Sequence, residues 1–195
     1  TTPDTFRIKL QDISDKGCKD SSFGDIYIVP TPVSAFTINE SSQCLKENHI
    51  LFSNTSTITQ GTMGYQWDFG DGTIDSIKNP KHQYKDHGNF TAQLVAESNW
   101  QCTDTSRRKI LIHPMPTAAF NVQKSQCLRG NIYSPVNQST IDSTKMSFFW
   151  KWGDGDTISG INPVHTYANF GTYKIVLVSS SEYGCLDSAS TEVFV

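Results

Sequence analysis

Two histidines follow an aspartate at a fixed interval, Asp71 with His82 and Asp154 with His165, and each pair surrounds the same kind of glycine-rich run. A carboxylate that orients an imidazole is the base half of a hydrolytic triad. The nucleophile is missing: no serine or cysteine recurs beside both pairs in a nucleophile motif, so each histidine reads better as a structural hydrogen-bonding group. Asp71 and Asp154-Gly155-Asp156 also offer loop carboxylates of the kind that calcium takes. Their spacing matches no EF-hand loop, and only the second run has the second aspartate. Five cysteines complete the reactive set, with no Cys-x-x-Cys or Cys/His spacing suited to zinc. On these grounds the sequence predicts no catalytic residue, no cofactor and no metal.

The elements that must position these residues come in copies. Trp67-Asp68-Phe69-Gly70-Asp71-Gly72 returns as Trp150-Lys151-Trp152-Gly153-Asp154-Gly155. Asn79-Pro80 returns as Asn162-Pro163, Tyr84 as Tyr167 and Gly88 as Gly171, while Phe36 matches Phe120, Cys44 matches Cys127 and Cys102 matches Cys185. The period is 83 or 84 residues throughout, which marks an array of similar modules. The interval from Phe6 to Cys18 is that from Phe90 to Cys102 and from Tyr173 to Cys185. Residues 1–30 therefore read as the back half of an earlier repeat, with complete modules at 31–114 and 115–195. The half repeat and the absence of an initiating Met imply a piece excised from a longer chain.

Applied to the cysteines, the repeat pairs Cys44 with Cys102 and Cys127 with Cys185, both 58 residues apart, and leaves Cys18 unpaired by truncation. A disulfide closing a loop of that size stabilises by roughly 4 kcal/mol in the chain-entropy model and implies an oxidising, extracytoplasmic compartment. The formal net charge is -3 and the one basic cluster is Arg107-Arg108-Lys109, so nothing marks a nucleic-acid or anionic-membrane partner. No apolar run approaches the ~20 residues that span a bilayer.

Helical periodicity is absent, and short alternating runs recur between clusters of Gly, Pro, Asn, Asp and Ser. Tyr65, Trp67 and Phe69 alternate with Gln66 and Asp68, placing one aromatic face inward. Phe90, Ala92 and Leu94 match Tyr173, Ile175 and Leu177, and also Phe6, Ile8 and Leu10, so three copies predict the same buried face. Strands are expected near 33–38, 48–53, 63–69, 73–77, 81–84, 89–98 and 105–113. About seven short strands per module point to an all-β, immunoglobulin-like sandwich. Gly70-Asp71-Gly72 suits a turn that requires positive φ. Tyr84 before Gly88, and Tyr167 before Gly171, fit a tyrosine corner whose hydroxyl bonds to upstream backbone.

The run Trp-x-Phe/Trp-Gly-Asp-Gly, then Asn-Pro-x-His-x-Tyr, then Gly-x-Phe/Tyr, resembles the polycystic kidney disease (PKD) domain. Trp67, Gly70, Asp71, Gly72, Pro80, His82, Tyr84 and Gly88 carry the likeness in the first module. Trp150, Gly153, Asp154, Gly155, Pro163, His165, Tyr167 and Gly171 carry it in the second. Lys151 and Trp152 depart from Asp68 and Phe69 without disturbing the alternation. The resemblance implies a β-sandwich found in tandem in cell-surface and secreted proteins, acting as spacer, stalk or adhesive element. The extra cysteines are similar to those of versions in very large bacterial surface proteins, including adhesins of gliding bacteria.

The expected role is a non-catalytic segment of an extracellular surface filament or adhesin stalk. The alternative is an accessory domain of a secreted hydrolase that engages polysaccharide or protein fibres. Partners would be neighbouring repeats, other copies in a fibre, or a protein or carbohydrate surface ligand. Trp100, in the turn before Cys102, could stack on a sugar or pack on a neighbouring module. Sequons occur at Asn39, Asn54, Asn89 and Asn137. Asp-Ser/Thr followed by a small or apolar residue places candidate O-glycosylation at Ser76, Ser143, Thr157 and Ser188.

Overall fold

The computed structural model describes residues 4–142 and 144–195; the candidate glycosylation site Ser143 lies outside them. Strands, turns and loops make up all of the described chain, the class that the alternating sequence requires. It divides into two compact units: the N-terminal stretch through Ser41 with His49–Gln83 and Asn89–Ile110, and Leu111–Val195 with Ser42–Asn48 and Tyr84–Gly88.

The first unit opens with a hairpin, β1 (Asp4–Ile13) antiparallel to β2 (Lys19–Ile28), in which Phe6 faces Ile26. Here one expectation fails. Phe6, Ile8 and Leu10 are exposed, with Leu10 at 61 % against 0 % for its equivalents Leu94 and Leu177. The alternation is that of a buried face, but residues 4–28 form only a two-stranded sheet and supply no counterpart of the aromatic layer that covers Leu94 and Leu177.

The first repeat continues with β3 (Phe36–Ile38), β4 (Ser42–Cys44), β5 (Ile50–Asn54), β6 (Met63–Asp68), β7 (Ile74–Asp75), β8 (Lys81–His82), β9 (Gly88–Ser98) and β10 (Thr103–His113), of which β4 and the end of β10 from Leu111 belong to the second unit. They form one sheet in the order β3-β5-β8 and another in the order β4-β10-β9-β6-β7. All seven strands expected from the pattern are present. The first begins only at Phe36 because the Ala35 N–H donates to Ser56 Oγ (3.1 Å) instead of a ladder carbonyl, while the Ser34 N–H, facing away from β5, donates to the Asp104 carboxylate (2.7 Å). The unexpected strand is β4, which pairs in parallel with the end of β10, Cys44 opposite His113. Trp67 is fully buried, with Phe36 edge-on at 5.0 Å and Phe52 at 5.2 Å. Large apolar rings packed this way supply much of the core energy of so small a sandwich.

The second unit carries β11 (Phe120–Asn121), β12 (Val136–Asn137), β13 (Met146–Lys151), β14 (Thr157–Ser159), β15 (Thr172–Ser181) and β16 (Leu186–Phe194). Its larger sheet runs β14-β13-β15-β16, and β11 pairs with β12. Tyr133, Trp150, Trp152, Tyr167, Ile175, Leu177, Val193 and Val195 form one buried cluster. The Ala118 N–H donates to Asp187 (2.8 Å), repeating the Ser34–Asp104 contact. Among the described residues no helix is long and apolar enough to cross a membrane.

Candidate functional site

The Gly-Asp-Gly turn follows directly from β6 and β13, and its glycines adopt positive φ: Gly70 80°, Gly72 88°, Gly153 89° and Gly155 109°. This bend carries Asp71 and Asp154 back over the sheet edge towards the histidine. His82 Nε2 lies 2.7 Å from Asp71 Oδ2, and His165 Nε2 lies 2.7 Å from Asp154 Oδ2. Each imidazole is stacked on the aromatic that immediately follows that strand, His82 on Phe69 at 4.1 Å and His165 on Trp152 at 4.6 Å. Partial burial acts to raise both carboxyls, but hydrogen bonds outweigh it. Thr73 and His82 hold Asp71, and His165 and the Asp156 N–H hold Asp154, below the ordinary carboxylate range.

A hydroxyl stands beside the first pair: Thr73 Oγ1 donates to Asp71 Oδ1 at 2.6 Å. Asp156 stands at that position in the second repeat, so the hydroxyl is not a shared feature. Asp156 instead gives that repeat three ligand-type atoms, with Asp154 and His165, all within 4.8 Å of one another. The first repeat cannot match this set. What both copies share is an aspartate that fixes a stacked histidine, tying the turn to the following segment.

The other motif residues are likewise committed to the fold. The indole N–H of Trp67 donates to the Ile77 carbonyl and that of Trp150 to the Gly160 carbonyl, each at 2.9 Å. Asn79 and Asn162 accept from the backbone N–H of Asn54 and Asn137, both at 2.9 Å, beside buried Pro80 and Pro163. Tyr167 is buried, which raises its hydroxyl above the usual phenol range, and that hydroxyl donates to the Trp152 carbonyl at 2.7 Å. Tyr84 is equally buried. Gly88 opens β9, and Gly171 precedes β15.

The cysteine pairing expected from spacing is corrected. Cys44 is bonded to Cys185, 141 residues away, and Cys18, Cys102 and Cys127 are free. The reason lies in the last strand of each repeat. Cys185 immediately precedes β16, whereas the segment before Cys127 joins its far end, Ser125 bridging Phe194. A strand of nine residues separates them, roughly 30 Å at strand rise, and a disulfide requires Cα atoms within about 7 Å. Cys102 and Cys44 stand at opposite ends of β10 in the same way. Cys44 and Cys185 meet because the end of β10 is where the β15–β16 turn arrives: Tyr183 stacks on His113 at 3.9 Å.

Two framing features escaped the sequence reading. Asn48 Nδ2 donates to the carbonyls of Leu45 and Tyr84 while its Oδ1 accepts from the Tyr84 N–H. Asn131 repeats this with Leu128 and Tyr167. The second is a turn of type Ser-x-x-Gly/Gln-Cys, in which Ser98 Oγ accepts from the Cys102 N–H and Ser181 Oγ from the Cys185 N–H. Both recur at the repeat period, the one signal that could have revealed them.

Trp100, 38 % exposed, borders a groove of about 550 Å³ with Asp4, Thr5, Tyr27, Ile28 and Val29. Ser76, Thr157 and Ser188 are exposed. The side-chain amide nitrogens of Asn54 and Asn137 are buried without a partner, so these two sequons are closed to a glycosyl donor in the folded chain.

A sequence profile of the PKD domain matches residues 30–112 and again 114–195. Collagenase ColQ1 of Bacillus cereus (strain Q1) is 37 % identical over 54 residues, 28 % of this chain and 6 % of the collagenase. Collagenase ColA of Bacillus cereus (strain ATCC 14579) is 26 % identical over 87 residues, 45 % of this chain and 9 % of the enzyme. The chain thus spans less than a tenth of the length of these curated relatives. Among solved structures, the PKD1 domain of the Vibrio cholerae metalloprotease PrtV is 23 % identical, covering 42 % of this chain and 96 % of that domain with a TM-score of 0.37. With the profile matched twice between residues 30 and 195, and with the Gly–Asp–Gly turn and its histidine built alike in both copies, this chain belongs to the PKD-domain family.

Proposed function

We propose that the chain is a non-catalytic extracellular module, a segment of a repetitive surface filament or adhesin stalk that sets spacing and supports adhesion. Its modules are residues 31–114 and 115–195, preceded by the back part of a repeat at 1–30. The observation that carries this reading is the bond from Cys44, in the first repeat, to Cys185, in the second. Such a bond forms and persists outside the cytoplasm, and it fastens one repeat to the next, as a tether under tension requires. The Asp–His pairs and the motif tryptophans support the same reading, since their polar atoms serve the fold. Exposed Ser76, Thr157 and Ser188 would carry sugars on the outside of the stalk.

Single-molecule extension tests it. Pulled in the oxidised state, the chain should withhold the contour between the two cysteines, roughly 480 Å for 141 residues, and yield it only after reduction. Full extension without reductant would overturn the tether.

The second reading, an accessory domain of a secreted hydrolase, draws on the matches to segments of two collagenases. Sedimentation with insoluble collagen and with crystalline polysaccharide separates the two. Saturable binding that is lost in Trp100→Ala favours the accessory role, and absence of binding favours the stalk.

A further inference from the structure

The bonded pair Cys44–Cys185 and the free thiols of Cys102 and Cys127 are the same two structural positions seen in different repeats. The first position is a short strand beside the end of its repeat's last strand. Ser42 pairs with Leu111 ahead of Cys44, and Ser125 pairs with Phe194 ahead of Cys127. The second position is the serine-anchored turn, which occurs three times. Ser14, Ser98 and Ser181 each donate their N–H to the carbonyl of Cys18, Cys102 and Cys185 at 2.8, 2.8 and 2.9 Å. Gly17, Gln101 and Gly184 sit before those cysteines with φ of 82°, 65° and 79°. In this structure a first-position cysteine is bonded to the second-position cysteine of the next repeat, never to its own.

An independent observation extends the rule backwards. Tyr183, two residues before Cys185, rests on His113 at the end of β10. Trp100, two residues before Cys102, lines a groove with Val29 at the end of β2, and Val29 is the repeat equivalent of His113. The Cys102 turn therefore faces the end of the preceding last strand across this groove, at the place where the Cys185 turn rests on its own predecessor. Cys127 is exposed and Cys102 half-buried, so both thiols can be reached.

We propose that the cysteines form a ladder advancing one repeat at a time: Cys102 bonds to the first-position cysteine of the repeat before it, and Cys127 to the second-position cysteine of the repeat after it. The partner is a segment of the same kind as this chain, recognised by the aromatic inside its serine-anchored turn, two residues before the cysteine. Each link forms as two thiols lose two protons and two electrons by exchange with a protein or small-molecule disulfide, which is reduced to two thiols. Successive loops would overlap, the next one beginning at Cys127, inside the loop closed by Cys44 and Cys185. Every joint of the array would then be covalently closed. The ladder goes beyond the stalk reading and does not depend on adhesion.

The test extends the full chain after Val195 with a second copy of residues 113–195, produced under oxidising conditions, alkylated without reduction and mapped by mass spectrometry. The expected map keeps Cys44–Cys185, joins Cys127 to the added copy's counterpart of Cys185, and leaves the added counterpart of Cys127 alkylated. Replacing the added counterpart of Cys185 by serine should return Cys127 to complete alkylation with Cys44–Cys185 untouched, which separates a missing partner from a misfolded copy. Cys127 alkylated in the unsubstituted extended chain, or joined to Cys185 or Cys102, would overturn the ladder. The tether is read separately by extension of the unextended chain, so failure of one leaves the other standing.

Discussion

Gly70 and Gly72 flank Asp71 with nearly the same backbone, φ of 80° and 88°, but their surroundings differ. A Cβ on Gly70 would lie 2.7 Å from the Thr91 carbonyl oxygen and 2.9 Å from its nitrogen, whereas one on Gly72 would meet nothing within 4 Å. An L-residue in this region costs about 1–2 kcal/mol, partly offset by the smaller entropy of the unfolded chain. Gly72→Ala should therefore destabilise by about 1 kcal/mol. Gly70→Ala carries that cost and must also push the β9 backbone away, a further loss of about 1–3 kcal/mol of the overpacking kind. The second repeat supplies an internal duplicate. Gly153 would meet Lys174 nitrogen at 2.8 Å and oxygen at 2.9 Å, and Gly155 again meets nothing within 4 Å. Urea unfolding followed by tryptophan fluorescence should place the Gly70→Ala midpoint about 1 M below that of Gly72→Ala at unchanged slope, with Gly153→Ala and Gly155→Ala behaving alike. Equal midpoints within a pair would refute the claim that backbone proximity, and not φ alone, demands the first glycine.

Tyr167→Phe removes the donor to the buried Trp152 carbonyl and should destabilise by about 1–3 kcal/mol; thermal melting checks this, and an unchanged melting temperature would dismiss the corner. The lowered carboxyls of Asp71 and Asp154 contribute stability that is complete above the unfolded carboxylate value, about 4. That stability is lost as the pH falls through the lower folded value. An acid titration should show it, and Asp71→Asn combined with Asp154→Asn should flatten the response. Cys185→Ser opens the 141-residue loop and should cost up to about 5 kcal/mol by chain entropy, while Cys102→Ser should leave the unfolding midpoint of the oxidised chain unchanged.

The sandwich was legible because its signals are local. Alternation of Tyr65, Trp67 and Phe69 names a buried face, and a turn of Gly70, Asp71 and Gly72 needs no distant partner. The likeness to the PKD domain rests on the same short run. Pairing of the cysteines was not legible, because equal spacing shows that Cys102 and Cys185 are equivalent, not that either is near the cysteine of its own repeat. A bond shifted by one repeat satisfies the period equally well, and only the length of β10 and β16 decides between the two. The parallel strand β4 was hidden for a related reason: its three residues owe their conformation to the end of β10, with no alternation of their own. Exposure of Phe6, Ile8 and Leu10 follows from the same limit, since a strand pattern states which face is apolar and not whether a second layer lies over it. Asn48 and Asn131 act by joining a nearby carbonyl to the backbone of a tyrosine 36 residues along the chain, a role that residue type does not announce.

Whether successive repeats are tied to each other is decided by a disulfide map of the oxidised chain, alkylated and digested without reduction. The expected map holds a cross-linked peptide pair with Cys44 and Cys185, and Cys18, Cys102 and Cys127 are all alkylated. A pair holding Cys44 with Cys102, or Cys127 with Cys185, would contradict it.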